Sequence, residues 1–176
     1  MGGVIIKSDY LDREFVEHCL YALTPANRLA CELCLQSGLR IDDALSLRTE
    51  QLAPRVTVIE HKTKKRKTFY IKKDLLEALK QEAGSIYVFE HRDDKNRHRT
   101  RQAVFMDLKR AAKAFRIKIN LSPHSLRKIY AVELMKKYGD IEKVQKALNH
   151  DNEVVTAIYA MADIYTMARK KRKNKK

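Results

Sequence analysis

Residues 55–71 read RVTVIEHKTKKRKTFYI, and this stretch accounts for the sheet expected of the chain. Its two ends, 55–60 and 66–71, are rich in β-branched and aromatic residues, whereas 61–65 is polar and mostly basic. That pattern is typical of a β-hairpin with a basic tip. Elsewhere the apolar residues recur at the three- to four-residue spacing of helices. The sequence therefore predicts a mainly α-helical α+β domain with one small antiparallel sheet near its middle.

Proline and glycine mark several helix boundaries. Thr24-Pro25 and Ser122-Pro123 each combine an N-cap residue with proline at the first helical position. Gly38 follows as a natural helix end. The predicted elements are helices over 10–23, 25–37, 42–47, 74–83, 100–115, 123–138, 141–148, 153–161 and from 164 onward, a short strand at 87–89 and an exposed loop at 91–101.

Composition narrows the classes of function. The 176 residues include 37 Lys+Arg and 22 Asp+Glu, which gives a formal net charge of +15. A chain of this length favours one domain that buries a core without disulfides or a structural metal. The excess of positive charge favours a polyanionic partner, above all nucleic acid. No stretch is long and apolar enough for a transmembrane helix, and the N-terminus lacks a signal-peptide core, so we expect a cytoplasmic protein.

The three cysteines do not suggest metal or redox chemistry. Cys31 and Cys34 make a single CxxC pair, and no second pair follows to complete a zinc site. They lie at helical spacing among leucine and alanine, so we interpret them, with Cys19, as small buried apolar residues. Nucleotide-binding glycine loops, a serine nucleophile elbow and clustered carboxylates are also missing from the sequence. We therefore expect neither a metal nor a cofactor.

Cationic and imidazole groups near helix ends remain as candidates for chemistry. His124 and Arg127 are three residues apart in the first turn of a predicted helix, where free N–H groups and the helix dipole favour a phosphate. Arg40 follows the helix end at Gly38, and Lys62 lies in the basic hairpin tip. Taken one at a time, these residues are more typical of an ordinary solvated surface.

In order along the chain, five segments resemble the catalytic domain of the tyrosine recombinases, or phage-type integrases. Residues 38–47 (GLRIDDALSL) are similar to the family's first arginine box, and 61–66 (HKTKKR) to the hairpin that carries its lysine. Residues 123–127 (PHSLR) look like the HxxR box, and 148–150 (LNH) like the LGH element. Residues 156–159 (TAIY) stand where the family keeps its nucleophile. The resemblance covers nearly the whole chain and implies the family's DNA breaking–rejoining fold.

The resemblance implies cleavage of a DNA strand without a metal ion. Tyr159 would attack the scissile phosphate, forming a 3′-phosphotyrosyl link and releasing a 5′-hydroxyl. Arg40 and Arg127 would bind the non-bridging oxygens as charge builds in the transition state. The two guanidiniums would take the place of a divalent ion.

The other implied roles concern proton transfer and phosphate binding. Lys62 would protonate the departing 5′-oxygen, and His124 would act in general acid–base transfer. His150 would hydrogen-bond the phosphate. Lys64 or Lys65 stays open as an alternative to Lys62, because hairpin tips are flexible.

Some positions depart from the family's pattern or extend it. Asn149 stands where glycine is usual, and asparagine tolerates a left-handed backbone better than most residues. Tyr165 is a rival to Tyr159 as the nucleophile. The expected DNA contacts are basic residues of the hairpin and of the following loop: Lys64, Lys65, Arg66, Lys67, Arg97, Arg99 and Arg101.

We expect residues 1–169 to form a single catalytic domain without the family's N-terminal core-binding domain, and 170–176 to form a basic, disordered tail. The resemblance implies an integrase-like, site-specific recombinase of a phage or mobile element, with chemistry like that of type IB topoisomerases. Its partners would be double-stranded DNA and further copies of itself, from dimer to tetramer, in a bacterial or phage-infected cell. The alternative is a DNA-binding or regulatory protein on the same fold that does not recombine DNA.

Overall fold

The computed structural model describes residues 13–116 and 121–149. Within them the chain forms seven α-helices, one short 3₁₀ helix and a two-stranded antiparallel sheet. In chain order these are α1 (Arg13–Leu20), α2 (Pro25–Ser37), α3 (Ile41–Leu45), the 3₁₀ helix (Thr49–Gln51), β1 (Arg55–Ile59), β2 (Arg66–Tyr70), α4 (Lys73–Glu82), α5 (Arg101–Ala114), α6 (Pro123–Tyr138) and α7 (Ile141–Ala147). The predicted fold class is confirmed. The helices predicted at 153–161 and beyond 164 lie outside the described residues.

β1 and β2 form the predicted hairpin, in a register that begins with Arg55 opposite Tyr70. Successive side chains alternate between the two faces of the sheet, as strand geometry requires. Val56, Val58 and Phe69 face inward and join the main hydrophobic core, whereas the residues between them are exposed. The hairpin is thereby anchored through one face, and its basic tip is left at the surface.

α2 is the central helix and packs against α1, α3, α4, α5 and α6. Most of its side chains are buried. Its N-terminus is capped from α5: Asp107 Oδ2 accepts hydrogen bonds from the backbone N–H of Thr24 at 2.9 Å and from Asn27 Nδ2 at 2.8 Å. Thr24 occupies the predicted N-cap position, but its own side chain does not cap the helix. A carboxylate distant in sequence supplies the capping oxygen instead.

The cysteines are part of this core. Cys19, Cys31 and Cys34 are all buried and free, which confirms their interpretation as apolar residues. Burial raises the pKa of the Cys31 thiol, and it raises the pKa of Cys34 to about 12. Both thiols therefore stay protonated and unreactive at neutral pH.

The end of α2 brings two distant segments together. Gly38 closes the helix in the left-handed conformation, with φ at 66°. The Tyr130 ring of α6 fills the space beside it, since a Cβ on Gly38 would lie only 2.2 Å from the ring. Glycine satisfies both constraints because it has no side chain. The resulting close approach puts the chain that leads to Arg40 against α6, which carries Arg127.

Residues 87–89 do not form the predicted strand. Tyr87 makes a single antiparallel bridge with Arg48, and Glu90 makes another with His98. Val88 and Phe89 are buried, so their apolar character serves the core instead of a sheet. A run of three apolar residues is too short to separate these two outcomes from sequence.

Candidate active site

A pocket of about 540 Å³ opens where the hairpin tip, α3, α5 and the N-terminus of α6 meet. Four predicted catalytic residues line it: Arg40, Lys62, His124 and Arg127. They come from segments far apart in sequence, and the close packing of α2 against α6 brings them together. Three cationic groups and an imidazole around one concave site suit a phosphate group.

The two arginines have fixed partners. Arg40 occupies the N-cap position of α3, and its Nη1 lies 3.2 Å from Glu60 Oε1. Arg127 is only 1% exposed and donates hydrogen bonds to the carbonyl oxygens of Gly38 and Leu148, the latter at 2.9 Å. A guanidinium stays protonated under all ordinary conditions, so both positions carry permanent positive charge.

Glu60 is fully buried beside both arginines. Its Oε1 lies 3.2 Å from Arg40 Nη1 and 3.7 Å from Arg127 Nη1. Burial raises its pKa, but hydrogen bonds from Asn149 and Thr63, together with nearby cations, outweigh that effect and hold the pKa below its usual value. The carboxylate is therefore ionised at neutral pH and offsets part of the positive charge.

Lys67 does not lie on the surface where a DNA contact was predicted. Strand alternation turns it inward with Phe69, and it is only 6% exposed. Its Nζ donates a hydrogen bond to Gly38 O at 3.2 Å. Burial and the charge of Arg127 lower the pKa of Lys67 to about 7, although Glu60 acts in the opposite direction. Lys67 therefore belongs to the buried charge cluster behind the pocket and not to the exposed basic surface of the hairpin.

Lys62 lies on the exposed tip, directly after a tether to α3. The backbone N–H of His61 donates to Asp43 Oδ1 at 2.8 Å, and His61 Nδ1 lies 2.9 Å from the same oxygen. Asp43 is 2% exposed and follows Arg40 by three residues. This tether fixes the start of the tip close to Arg40 and holds Lys62 in the pocket wall.

α6 begins at Pro123, as predicted, and presents its first turn to the pocket. The backbone N–H of Ser122 donates to Ser125 Oγ at 3.2 Å, which stabilises the entry to the helix. His124 is exposed in this first turn, whereas Arg127 points inward one turn later. His124 therefore lines the solvent-exposed part of the pocket, and Arg127 lines its buried part.

The amino-acid sequence has relatives among known proteins. Residues 11–164 match the profile of the phage integrase family. The chain belongs to this family. It is 32% identical over 162 residues to a tyrosine recombinase of Thermosipho africanus, covering 86% of this chain and 56% of that protein. It therefore spans about half the length of that relative.

Solved structures of phage integrase-like enzymes share the fold. The catalytic domain of bacteriophage HP1 integrase superposes with a TM-score of 0.63 at 20% identity, over 85% of this chain and 86% of that domain. XerH recombinase, in a post-cleavage complex with its difH substrate, superposes with a TM-score of 0.67 at 21% identity, over 84% of this chain and 48% of XerH. These likenesses identify the fold as that of recombinase catalytic domains.

The C-terminal residues of the predicted phage integrase site fall outside the structure's description. These are His150, Tyr159 and the alternative Tyr165. Asn149 is the last residue that the structure describes; its φ is 53°, and its Nδ2 donates a hydrogen bond to Glu60 Oε2 at 2.7 Å. The chain therefore arrives beside the arginine pair one residue before His150.

The other predicted DNA contacts are basic residues around the pocket. Arg101 is largely exposed and lies 3.6 Å from Asp42, with both residues in the pocket wall. Of the remaining predicted DNA contacts on the hairpin and the loop, Arg99 is half-buried. The others are exposed: Lys64, Lys65, Arg66 and Arg97. Their contact with DNA stays a prediction.

Within 13–116 and 121–149, no group of three or more His, Cys, Asp or Glu side chains is arranged to hold a metal ion. No helix of the same ranges combines the length and the apolar character that crossing a membrane requires.

The sequence analysis did not predict the two buried carboxylates Glu60 and Asp43, although the position of each in its strand or helix pattern indicates burial. Glu60 follows Val56 and Val58 at the strand period, so it is an acidic residue on the core-facing side of a strand. Asp43 follows Arg40 by three residues, which places both near one helix face. An ionisable side chain at a core-facing position implies a buried partner of opposite charge.

Proposed function

We propose that this chain is the catalytic part of a site-specific DNA recombinase that cleaves and rejoins strands through a 3′-phosphotyrosyl intermediate. The observation that carries the proposal is the convergence of Arg40, Lys62, His124 and Arg127 on one pocket. Family membership and the DNA-bound state of the XerH structure support it. The single catalytic domain over 1–169 is part of the same proposal.

The proposed reaction exchanges one phosphodiester for another. The Oη of Tyr159 attacks the phosphorus, so that a P–Oη bond forms as the bond to the 5′-oxygen breaks. Arg40 and Arg127 bind the non-bridging oxygens, where negative charge builds in the transition state. His124 accepts the tyrosine proton, and Lys62 donates a proton to the leaving 5′-oxygen. Rejoining is the reverse, with a 5′-hydroxyl as the nucleophile.

Charge supports DNA as the substrate. The formal net charge is +15, and exposed lysines and arginines surround the pocket on the hairpin and the 91–101 loop. Each contact between such a cation and a DNA phosphate releases a condensed counterion. Strand exchange needs two duplexes in one complex, so the proposal includes self-association on double-stranded DNA, as dimer to tetramer, in the cytoplasm of a bacterial or phage-infected cell.

Covalent capture tests the proposal. Wild type, Tyr159→Phe, Tyr165→Phe and Arg40→Ala are mixed with a pool of nicked duplexes in EDTA, and SDS-resistant protein–DNA adducts are quantified. We expect adducts with wild type and Tyr165→Phe, and none with the other two. DNA binding, measured in parallel by anisotropy, should persist in all four.

Each contrary outcome has a distinct meaning. Adducts that survive in Tyr159→Phe and vanish in Tyr165→Phe would assign the nucleophile to Tyr165. Intact binding without any adduct would favour the alternative, a DNA-binding protein on the recombinase fold. Loss of binding in Arg40→Ala equal to its loss of cleavage would contradict a role specific to the transition state.

A further inference from the structure

Glu60 lies where the hairpin strand gives way to the tip. It follows β1 directly and is fully buried, at the inward position that continues the row of Val56 and Val58. Its backbone N–H donates to Lys65 O at 3.0 Å, and its carbonyl oxygen accepts from Lys64 N at 2.9 Å. Glu60 thus closes the turn that presents Lys62.

The side chain of Glu60 uses both of its oxygens. Oε1 lies 3.2 Å from Arg40 Nη1 and 3.7 Å from Arg127 Nη1. Oε2 accepts hydrogen bonds from Thr63 Oγ1 at 2.8 Å and from Asn149 Nδ2 at 2.7 Å. One carboxylate therefore touches α3, the hairpin tip, α6 and the chain segment that leads to His150.

Asn149 combines a left-handed backbone with a side-chain hydrogen bond to the Glu60 carboxylate. Its φ of 53° is the left-handed conformation that favours glycine, and the resemblance to the recombinases indicates glycine as the usual residue there. Asparagine adopts this backbone and adds an amide that reaches Glu60 Oε2. The pair consists of a buried carboxylate and a donor from a separate element, so it fixes the distance between the two elements.

We infer that Glu60 is a positioning residue for strand cleavage, which sets the arginine pair, the tip with Lys62 and the segment before His150 in one geometry. This inference rests on the proposed function. It differs from a purely structural role because the four elements that Glu60 joins are those that carry the proposed catalytic groups. Small displacements of such groups lower the rate of a reaction more than they lower substrate binding.

Asn149→Gly is the cleanest perturbation. Glycine keeps the backbone conformation and removes only the amide that holds Glu60. We expect covalent adducts to form about tenfold more slowly, in line with the coupling of residues in direct contact. DNA affinity should stay at the wild-type value, and the melting temperature should stay within about 2 °C of it.

Glu60→Ala and the double variant Glu60→Ala/Asn149→Gly complete a double-mutant cycle with Asn149→Gly. Glu60→Ala should slow adduct formation more than Asn149→Gly does, while DNA affinity holds or rises because a negative charge is lost. Once the carboxylate is gone, loss of the amide should have no further effect, so the double variant should match Glu60→Ala. Glu77→Ala on the exposed surface of α4 is the matched control and should cleave like wild type.

The outcomes separate the two proposals. If wild type forms no adduct, the proposed function fails and this inference falls with it. If wild type forms adducts and Asn149→Gly forms them equally fast, Glu60 does not act through Asn149 and the inference alone is overturned. For Asn149→Gly, a rate loss accompanied by an equal fold-loss of DNA affinity, or by a melting temperature more than about 2 °C below that of wild type, would also overturn it, because either would show a structural role only.

Discussion

Replacing Lys67 by methionine should remove a specific pH dependence of stability. Burial and the charge of Arg127 lower the pKa of Lys67 to about 7 in the folded protein. In the unfolded chain a lysine titrates near a pKa of about 10.4. Between these values the unfolded state binds a proton that the folded state does not. The free energy of unfolding therefore rises with pH in this window, by up to about 1.4 kcal/mol per pH unit.

The size of the effect follows from the two pKa values. From pH 7 to pH 9, Lys67 should add about 2 kcal/mol to the free energy of unfolding of wild type. Cys31 and Cys34 act in the opposite direction, because their raised pKa values keep protons in the folded state that the unfolded state releases. Their contribution is common to both proteins, so the difference between wild type and Lys67→Met isolates the lysine.

Urea unfolding followed by circular dichroism at pH 7, 8 and 9 measures this difference. At pH 7 we expect Lys67→Met to be at least as stable as wild type, because it no longer buries an ammonium group. By pH 9 wild type should have gained about 2 kcal/mol relative to the variant. Lys65→Met, on the exposed tip of the same hairpin, is the control and should follow wild type at every pH. A difference between wild type and Lys67→Met that stays constant with pH would refute the argument, since Lys67 would then hold its proton throughout.

Three further perturbations address the helix cap, the helix end and the basic tip. Asp107→Ala removes the cap of α2 and leaves buried donors without an acceptor, so urea unfolding should show a loss of about 2–4 kcal/mol; a loss below about 0.5 kcal/mol would contradict the capping role. Gly38→Ala should lower the free energy of unfolding in the same assay by roughly 2 kcal/mol or more, because φ is positive and the new Cβ meets the Tyr130 ring; a free energy of unfolding equal to that of wild type would count against this close contact. The plot of log affinity for DNA against log salt concentration has a negative slope, and Lys65→Ala should make that slope less negative by about 0.9; an unchanged slope would show that Lys65 makes no phosphate contact.

Local signals explain which elements the sequence predicted well. α2 and α6 begin at Pro25 and Pro123 as expected, and each ends before a glycine with positive φ, Gly38 and Gly139. These rules depend only on adjacent residues and backbone sterics. The failed strand at 87–89 depended on a distant partner for pairing, which no adjacent residue encodes.

The same distinction holds at the site. The family resemblance predicts Arg40, Lys62 and Arg127 as site residues, because the motifs that carry them are contiguous in sequence, and the structure places all three around one pocket. It did not identify Glu60, whose role depends on cations from other elements. As one of the basic residues of the hairpin, Lys67 is predicted to contact DNA, although strand alternation places it on the same inward face as Phe69, two residues later.

The carbonyl oxygen of Gly38 has a consequence for how this domain can evolve. It accepts hydrogen bonds from both Lys67 and Arg127, and it belongs to the residue that directly follows the last turn of α2, the central helix of the core. Lys67 and Arg127 therefore lie at the C-terminal end of α2, where the helix dipole is negative. A mutation that shifts α2 along its axis would move this oxygen and change the pocket without touching it. A substitution in α2 that leaves the protein folded can therefore still alter the pocket.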